Sequence, residues 1–161
     1  MKVSSVPFTV TAIRGGITAA AGFRAAGVSA GIKASGALDV TLIVADGPVS
    51  AAGLFTTNQV QAPPVKVSKS NLESSGGRAQ AIIVNSGCAN ACTGAEGLAT
   101  SQATVVATAA ALGCSPEHVL VSSTGVIGVQ LSREKMLAGV TSAVAALSRD
   151  GGPAARGIMT T

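Results

Sequence analysis

The sequence predicts an α/β protein in which mixed β-sheets are layered against flanking helices. Strand-like segments come first along the chain, and a strand–helix–strand–helix alternation follows in its second half, an order typical of layered sheet and helix. The composition agrees, because 47% of the 161 residues are hydrophobic while Trp and Tyr are absent and Phe occurs three times. The core must therefore be built from small and branched aliphatic side chains around 20 glycines. This length suits one domain.

The first half of the chain is predicted to contain strands. Residues 23–30 alternate small and apolar side chains, and residues 39–47 (DVTLIVADG) form a strong strand pattern. Gly47-Pro48 is a turn signal, and residues 49–57 (VSAAGLFTT) follow it, so the pattern predicts an antiparallel hairpin. Residues 61–64 (QAPP) break this pattern.

The second half alternates strands and helices. Residues 79–87 (AQAIIVNSG) predict a buried strand, because the apolar run is continuous. Gly94 to Leu112 predicts a helix with one core-facing stripe, formed by Leu98, Val105, Ala109 and Leu112. Ser115 before Pro116 predicts a cap that opens a short turn, and residues 118–123 (HVLVSS) predict the next strand.

The last segments are a helix and a short apolar end. Residues 131–149 predict a helix with Ser132 as its N-cap and Glu134 in the first turn. Its core stripe comprises Met136, Val140, Val144 and Leu147. Residues 157–161 (GIMTT) predict the start of a further strand that is cut off, which indicates a subunit or a fragment.

Charge and hydropathy exclude several classes. The net charge of +4 comes from scattered single Lys and Arg residues, without the basic run or interleaved aromatics of a nucleic-acid-binding protein. At most it favours small anionic ligands. The longest charge-free stretch, residues 97–116, is too polar for a membrane helix, and the N-terminus after Lys2 lacks the apolar region of a signal peptide. We expect a cytoplasmic protein that binds neither membrane nor nucleic acid.

The cysteines do not form a recognisable metal or disulfide pattern. Three cysteines are an odd number, which argues against a disulfide framework. Cys88 and Cys92 are spaced C-x3-C, and Cys114 and His118 follow without a standard zinc spacing. We therefore predict buried thiols and no metal or cofactor.

Reactive groups are few. His118 is the only histidine, and no G-x-S-x-G motif or recognisable triad accompanies it. Two strand-end loops, residues 85–94 and 122–128, are rich in Gly, Ser and Thr, so their backbone N–H groups could face a phosphate or an oxyanion. Neither loop matches a phosphate-binding motif, and each could be an ordinary turn.

Four segments together carry a specific resemblance: GITAAAGFRAAGVSAGIKASGALDVTLIV (16–44), NSGCANACTG (85–94), SSTGVIG (122–128) and GIMTT (157–161). In this order they resemble the N-terminal chain of the ornithine acetyltransferases, also called bifunctional glutamate N-acetyltransferases, of arginine biosynthesis. The resemblance implies an N-terminal-nucleophile-type two-chain acyltransferase architecture. Residues 1–161 would then be a single α-chain domain.

The resemblance also implies how the reaction is divided between two chains. Members of the family are made as one precursor that cleaves itself before a threonine, which becomes the N-terminal nucleophile of a separate β chain. The α-amine of that threonine can act as the general base, so no histidine is required. An α2β2 heterotetramer is implied, with N-acetylornithine and glutamate as substrates and acetyl-CoA as a co-substrate if the enzyme is bifunctional.

The family motifs place three functional residues on this chain. A Thr–Gly pair that forms the oxyanion hole falls on Thr124 and Gly125. The first threonine of an MTTD motif, which contacts substrate, falls on Thr160. The sequence stops at Thr161 without the aspartate, so we expect the C-terminal end of the family's α chain to be lacking.

The sequence leaves the roles of several other residues undecided, and two alternative functions also fit it. Asn85 and Asn90 are expected to bond to backbone and shape the cleft. Lys33 and Arg24 fit a structural or surface role as well as ligand binding. Two other functions fit the residues: a hydrolase of related architecture acting on a peptide-like substrate, and a non-catalytic module that binds small anions through its glycine loops.

Overall fold

A computed structural model describes residues 10–160. Residues 1–9, which include the stretch considered for a signal peptide, and Thr161 lie outside the described residues. Four strands form one sheet in the order β1-β2-β3-β4, with bounds Phe23–Val28 (β1), Val40–Ser50 (β2), Arg78–Cys88 (β3) and Val119–Val126 (β4). The first two pairings are antiparallel and β3–β4 is parallel, which confirms the predicted mixed sheet.

Helices cover both faces of this sheet. Their bounds are Pro63–Ser74 (α1), Gly94–Leu112 (α2), Arg133–Ala145 (α3) and Gly152–Gly157 (α4), with 3-10 turns at Gly16–Ala19 and Pro116–His118. At β2, the side chain of Val40 faces α3, while the hydroxyl of Thr41 donates to the carbonyl of Ala154 in α4 at 2.8 Å. Among residues 10–160, the helices lack the combination of length and apolar character that crossing a bilayer would require.

The predicted hairpin at Gly47-Pro48 is wrong. Strand β2 continues through both residues to Ser50, and its register with β3 shifts between Val44 and Val49. Proline has no N–H to give to a sheet, and a bulge is a place where a strand tolerates it. Gly47 and Pro48, which the sequence predicts to form a turn, thus lie within a strand that pairs with β1 and β3.

Strand β3 forms where predicted but is not buried on both faces. Ala81 and Ile83 are buried, whereas the side chain of Ile82 between them is 38% exposed. One face of this strand packs on the core cluster, and the other is covered only in part within residues 10–160. The continuous apolar run therefore predicted the strand correctly, but it did not predict that one face of the strand is partly exposed.

Helix α2 has the predicted bounds, Gly94–Leu112. Val105 and Ala109 are buried as predicted, but the buried face also carries hydroxyl groups. Thr104 and Thr108 each donate to the carbonyl four residues earlier, at 2.8 Å. These bonds satisfy the hydroxyls locally, so threonines can pack in an apolar layer.

Two predicted caps have different outcomes. The Ser132 cap is confirmed, because its Oγ accepts a hydrogen bond from the Lys135 N–H at the start of α3. Ser115 makes no side-chain cap bond; its hydroxyl bonds to the Glu117 carboxylate and lowers the pKa of that group. Helix α3 also ends earlier than predicted, at Ala145, because Ser148 forms a β-bridge with Ala25.

The predicted strand at 157–161 is wrong for its described part. Pro153 lies in the first turn of α4, a position suited to proline, and the helix continues to Gly157 before a turn at Ile158. Gly157 packs so closely on the sheet that a Cβ there would lie 2.3 Å from Thr41 Oγ1. This contact turns the end of the chain back toward β2 and β3.

Candidate active site

The two parallel strands β3 and β4 end side by side, and the predicted oxyanion residues lie at that end. Thr124 pairs with Ser86, and Gly125 pairs with Gly87. The segment expected to be a loop after the strand is in fact strand up to Val126. Because parallel strands place their carboxyl ends at the same edge, the loop segments 85–94 and 122–128 meet there.

Gly125 is required by a close backbone approach. Its φ is +134°, and a Cβ there would lie 2.4 Å from the carbonyl carbon of Gly87 and 2.6 Å from the amide nitrogen of Cys88. The pairing is irregular at this point, since Cys88 pairs with both Thr124 and Val126. A side chain at position 125 would force the two strands apart.

At the start of β4, side chains of helix α1 form hydrogen bonds with the backbone groups on the outer edge of the strand. The Ser68 hydroxyl donates to the Val121 carbonyl at 2.6 Å and accepts from the Val121 N–H at 2.8 Å. The side-chain amide of Asn71 donates to the carbonyl of Val119 at 2.8 Å. The peptide group of Val121 therefore faces away from β3, toward α1.

Farther along β4 the same edge is open. Alternate residues of a parallel strand direct their peptide groups to the same side, so Ser123 and Gly125 follow Val121 in facing outward. Gly125 is exposed, and the neighbouring Thr124 is half-buried. Thr124 and Gly125 are thus adjacent at an accessible strand edge, and the predicted oxyanion role would require the Thr124 hydroxyl and the Gly125 N–H to donate from there.

Buried polar groups fix the end of β3 beneath these donors. Asn85 is fully buried; its amide donates to the Cys88 carbonyl at 2.8 Å, and its Oδ1 accepts from the Ser123 hydroxyl at 2.6 Å. Ser86 is also fully buried, and its hydroxyl donates to the Gly157 carbonyl at 2.7 Å. The predicted backbone bond of Asn85 is confirmed, and Ser86, which sequence reasoning gave no role, ties β3 to α4.

Asn90 holds the next part of the same segment. It is fully buried with φ of +45°, and its amide donates to the Gly97 carbonyl at 3.0 Å and to Ser101 Oγ at 2.9 Å. The Thr93 hydroxyl donates to Asn90 Oδ1 at 2.7 Å. The predicted backbone bond is confirmed, and these contacts anchor the 85–94 segment to the first turns of α2.

Thr160 lies beside a separate cavity. It is exposed and lines a space of about 390 Å³, together with Lys33, Ser35, Ala37, Leu38, Arg156 and Met159. The Lys33 ammonium donates to the Leu38 carbonyl at 2.9 Å and to the Met159 carbonyl. The residue that sequence reasoning left open therefore contacts the segment carrying Thr160.

The Thr160 cavity and the predicted oxyanion residues are connected through Gly87. A Cβ on Gly87 would lie 3.0 Å from Lys33 Cγ and 3.4 Å from Ile32 Cγ2, so the loop between β1 and β2 packs directly on this glycine. Gly87 in turn touches Gly125 on its other side. A series of contacts through Met159, Lys33 and Gly87 thus links the Thr160 segment to Gly125.

The sequence of this chain matches that of a known protein family. A model of the ArgJ family matches residues 24–161. The chain belongs to the ArgJ family. The predicted family resemblance is thereby confirmed.

Curated ArgJ relatives are similar over most of this chain. The arginine biosynthesis bifunctional protein ArgJ of Thermosynechococcus vestitus is 55% identical over 152 residues, which is 92% of this chain and 36% of the relative. The protein of the same name from Mycobacterium tuberculosis is 51% identical over 155 residues, covering 91% of this chain and 38% of the relative. The chain thus spans little more than a third of the length of these relatives.

Two solved ArgJ-family structures share the fold. The ornithine acetyltransferase of Mycobacterium tuberculosis, complexed with ornithine, superposes with a TM-score of 0.85 at 50% identity, over 91% of this chain and 79% of that one. The arginine biosynthesis bifunctional protein ArgJ of Bacillus halodurans gives a TM-score of 0.82 at 36% identity, over 90% and 75%. The predicted layered α/β architecture of the family is confirmed.

The cysteines of this ArgJ-family chain differ from their prediction in one case. All three are free; Cys88 is buried and Cys114 is half-buried, but Cys92 is exposed, so the prediction of buried thiols is wrong for Cys92. Burial raises the pKa of the Cys114 thiol. Among residues 10–160, the side chains of His, Cys, Asp and Glu form no group of three or more that could hold a metal.

Proposed function

We propose that this chain is the α chain of an ornithine acetyltransferase, which moves an acetyl group from N-acetylornithine to glutamate through an acetyl-threonine on a β chain. The observation that carries the proposal is the close contact of Gly125 with Gly87, which places Gly125 and the neighbouring Thr124 at the accessible end of β4. The structural neighbour from Mycobacterium tuberculosis, an ornithine acetyltransferase complexed with ornithine, supports the same substrate class.

The two donors suit the charge that develops in acyl transfer. When the threonine hydroxyl of the β chain attacks the acetyl carbonyl, the carbonyl oxygen becomes an oxyanion. The Thr124 hydroxyl and the Gly125 N–H would donate to that oxygen, and one such donor is typically worth about 3 kcal/mol of barrier. The α-amine of the attacking threonine would take the hydroxyl proton.

Thr160 would bind the substrate away from the reacting carbonyl. Its exposed side chain lines the cavity of about 390 Å³, which is close to the volume expected for a small-molecule site. The cavity is connected to Gly125 by way of Lys33 and Gly87. One substrate could therefore place its amino-acid part beside Thr160 and its acetyl group beside Thr124.

A partner chain would cover the apolar residues around these donors. Val126, Ile127 and Val129 at the end of β4 are 58%, 66% and 53% exposed, and Met159 is 56% exposed. Exposed apolar residues grouped around a polar site are typical of an interface. We propose that the β chain packs here in an α2β2 assembly, with residues 1–161 as one α-chain domain; the cytoplasmic location stays a prediction.

The reaction and its rivals are separated by one assay on the full-length protein. Incubation with N-acetylornithine alone should release at most one ornithine per active site, as the acetyl-threonine forms, and continued release should require glutamate, with N-acetylglutamate formed in equal amount. Continued release without glutamate would instead indicate a hydrolase. Replacing N-acetylornithine by acetyl-CoA tests whether the enzyme is bifunctional.

Native mass spectrometry of the same sample tests the assembly. The proposal requires a second chain that begins with threonine, bound to this one. A stable species containing this chain alone, without any acetyl transfer, would favour a small-anion binding module and contradict the proposal.

A further inference from the structure

A buried carboxylate organises the loop that joins β1 and β2. Asp39 is fully buried, and its two carboxylate oxygens accept the backbone N–H groups of Ala30 at 2.7 Å, Ile32 at 2.7 Å and Lys33 at 2.9 Å. Hydrogen bonds from backbone to a charged acceptor are strong, and together they satisfy the buried charge. The backbone of Lys33 is thus held in one place by a group that no part of the proposed reaction uses.

From this fixed backbone, the side chain of Lys33 extends over Gly87 to the carbonyl of Met159. Its stem passes over Gly87, where a Cβ would lie 3.0 Å from Lys33 Cγ. Its ammonium then donates to the carbonyls of Leu38 and Met159. Within residues 10–160, neither ion pair that the chain forms involves Lys33, so its charge is matched here by carbonyl oxygens.

The bond to Met159 joins residues that are 126 positions apart in the sequence. Met159 follows the last helix and directly precedes Thr160; its N–H bonds to the Arg156 carbonyl at 3.2 Å, and neither residue lies in a helix or strand. The Ser86 hydroxyl fixes Gly157 at the other end of this short segment. Lys33 therefore adds a bond from the β1–β2 loop to the carbonyl of Met159, directly before Thr160.

From this geometry we infer that Lys33 is a positioning residue, which sets the place of Thr160 relative to Thr124 and Gly125. The inference rests on the proposed acetyl transfer, since it gives Lys33 a task in that same site. One end of the side chain touches Gly87, the contact partner of Gly125, and the other end bonds to Met159. Lys33 acts through Thr160 and not on the reacting carbonyl.

Lys33→Met in the full-length enzyme tests this role, because methionine keeps an apolar stem over Gly87 and removes the ammonium. Amide hydrogen exchange in a peptide covering residues 157–160 should become faster, by about tenfold. The KM for N-acetylornithine should rise by about tenfold while kcat stays within about threefold, since the lost contact acts through substrate binding. Lys33→Arg, which retains donors, should recover much of the KM.

Combining Lys33→Met with Thr160→Val separates positioning from a direct contact. If Lys33 acts only through Thr160, the double variant has the KM of Thr160→Val within about twofold, because coupled residues are not additive. A KM that rises by the product of the two single effects would mean that Lys33 binds substrate itself or acts elsewhere, and would overturn the inference.

Lys135→Met is the matched control. The Lys135 ammonium donates to the Gly31 carbonyl at 2.6 Å, so this variant also removes a lysine bond to the β1–β2 loop, but not the bond to Met159. Exchange at 157–160 should stay unchanged in it. Equal exchange at 157–160 in wild type and Lys33→Met refutes the positioning role whether or not the enzyme transfers acetyl. Absence of transfer in the wild type refutes only the proposed function.

Discussion

Gly125→Ala is the substitution for which the structure gives the most definite expectation. The added Cβ would lie 2.4 Å from the carbonyl carbon of Gly87, 2.6 Å from the amide nitrogen of Cys88 and 2.7 Å from the Gly87 carbonyl oxygen. Ordinary van der Waals contact begins at 3.4 Å. All three atoms are backbone, so neither a rotamer change nor a flexible side chain can relieve the clash.

The size of the effect follows from these distances. To restore ordinary contact with the Gly87 carbon, the ends of β3 and β4 must separate by about 1 Å. A misplacement of about 1 Å at a catalytic site can cost about 100-fold in rate. The alanine also adopts a φ of +134°, which adds backbone strain of about 1–3 kcal/mol. We expect kcat for acetyl transfer to fall by about 100-fold or more and the protein to be less stable.

Gly128→Ala separates the steric effect from the strain. Gly128 lies three residues further on with a φ of +81°, and a Cβ there would meet nothing within 4 Å. It should therefore lose about 1–2 kcal/mol of stability from backbone strain and keep its kcat within about threefold. Steady-state kinetics and thermal unfolding of both variants are the assay. A wild-type kcat in Gly125→Ala would contradict this expectation, and so would a loss of kcat in Gly128→Ala as large as that in Gly125→Ala.

Four further predictions concern the site and the cysteines. Thr124→Val should fold normally and lower kcat by about 100-fold with little change in KM, and an active variant would remove its hydroxyl from the oxyanion role. Thr160→Val should raise the KM for N-acetylornithine by about tenfold, whereas a lowered Tm with unchanged KM would make it a structural residue. Iodoacetamide should modify Cys92 first in the full-length protein, then Cys114 and last Cys88, as followed by mass spectrometry. Burial raises the pKa of the Cys114 thiol, so the free energy of unfolding should fall as the pH rises from the unfolded pKa through the folded one, and denaturation at several pH values would show this.

The sequence alone determined the elements whose signals are local. Helix α2 has the predicted bounds, and the Ser132 cap forms as predicted, because helical periodicity and capping involve residues three or four positions apart. The same holds for the start of β2 and for the existence of β3. Family motifs indicated Thr124, Gly125 and Thr160, while composition alone gave none of them a role.

At two places, contacts with residues distant in sequence override a strong local sequence preference, and only the tertiary structure shows this. Gly47-Pro48 reads as a turn, but pairing of Val49 with Ala79 keeps the chain extended through it. Residues 157–159 read as a strand, but α4 packs through Gly157 on Thr41 and ends in a turn. In both cases contacts far apart in sequence outweigh the local preference of a few residues.

The assembly of the site was likewise beyond the sequence. The bond from Lys33 to Met159 spans 126 positions, and the bond from Ser86 to Gly157 spans 71. Neither residue type indicates such a partner, because lysine and serine are common on surfaces and bond to any accessible carbonyl. The family motifs predicted donors at 124 and 125, but the contacts that link this pair to the Thr160 segment arise only from the packing of β3 against β4 and of the β1–β2 loop on Gly87.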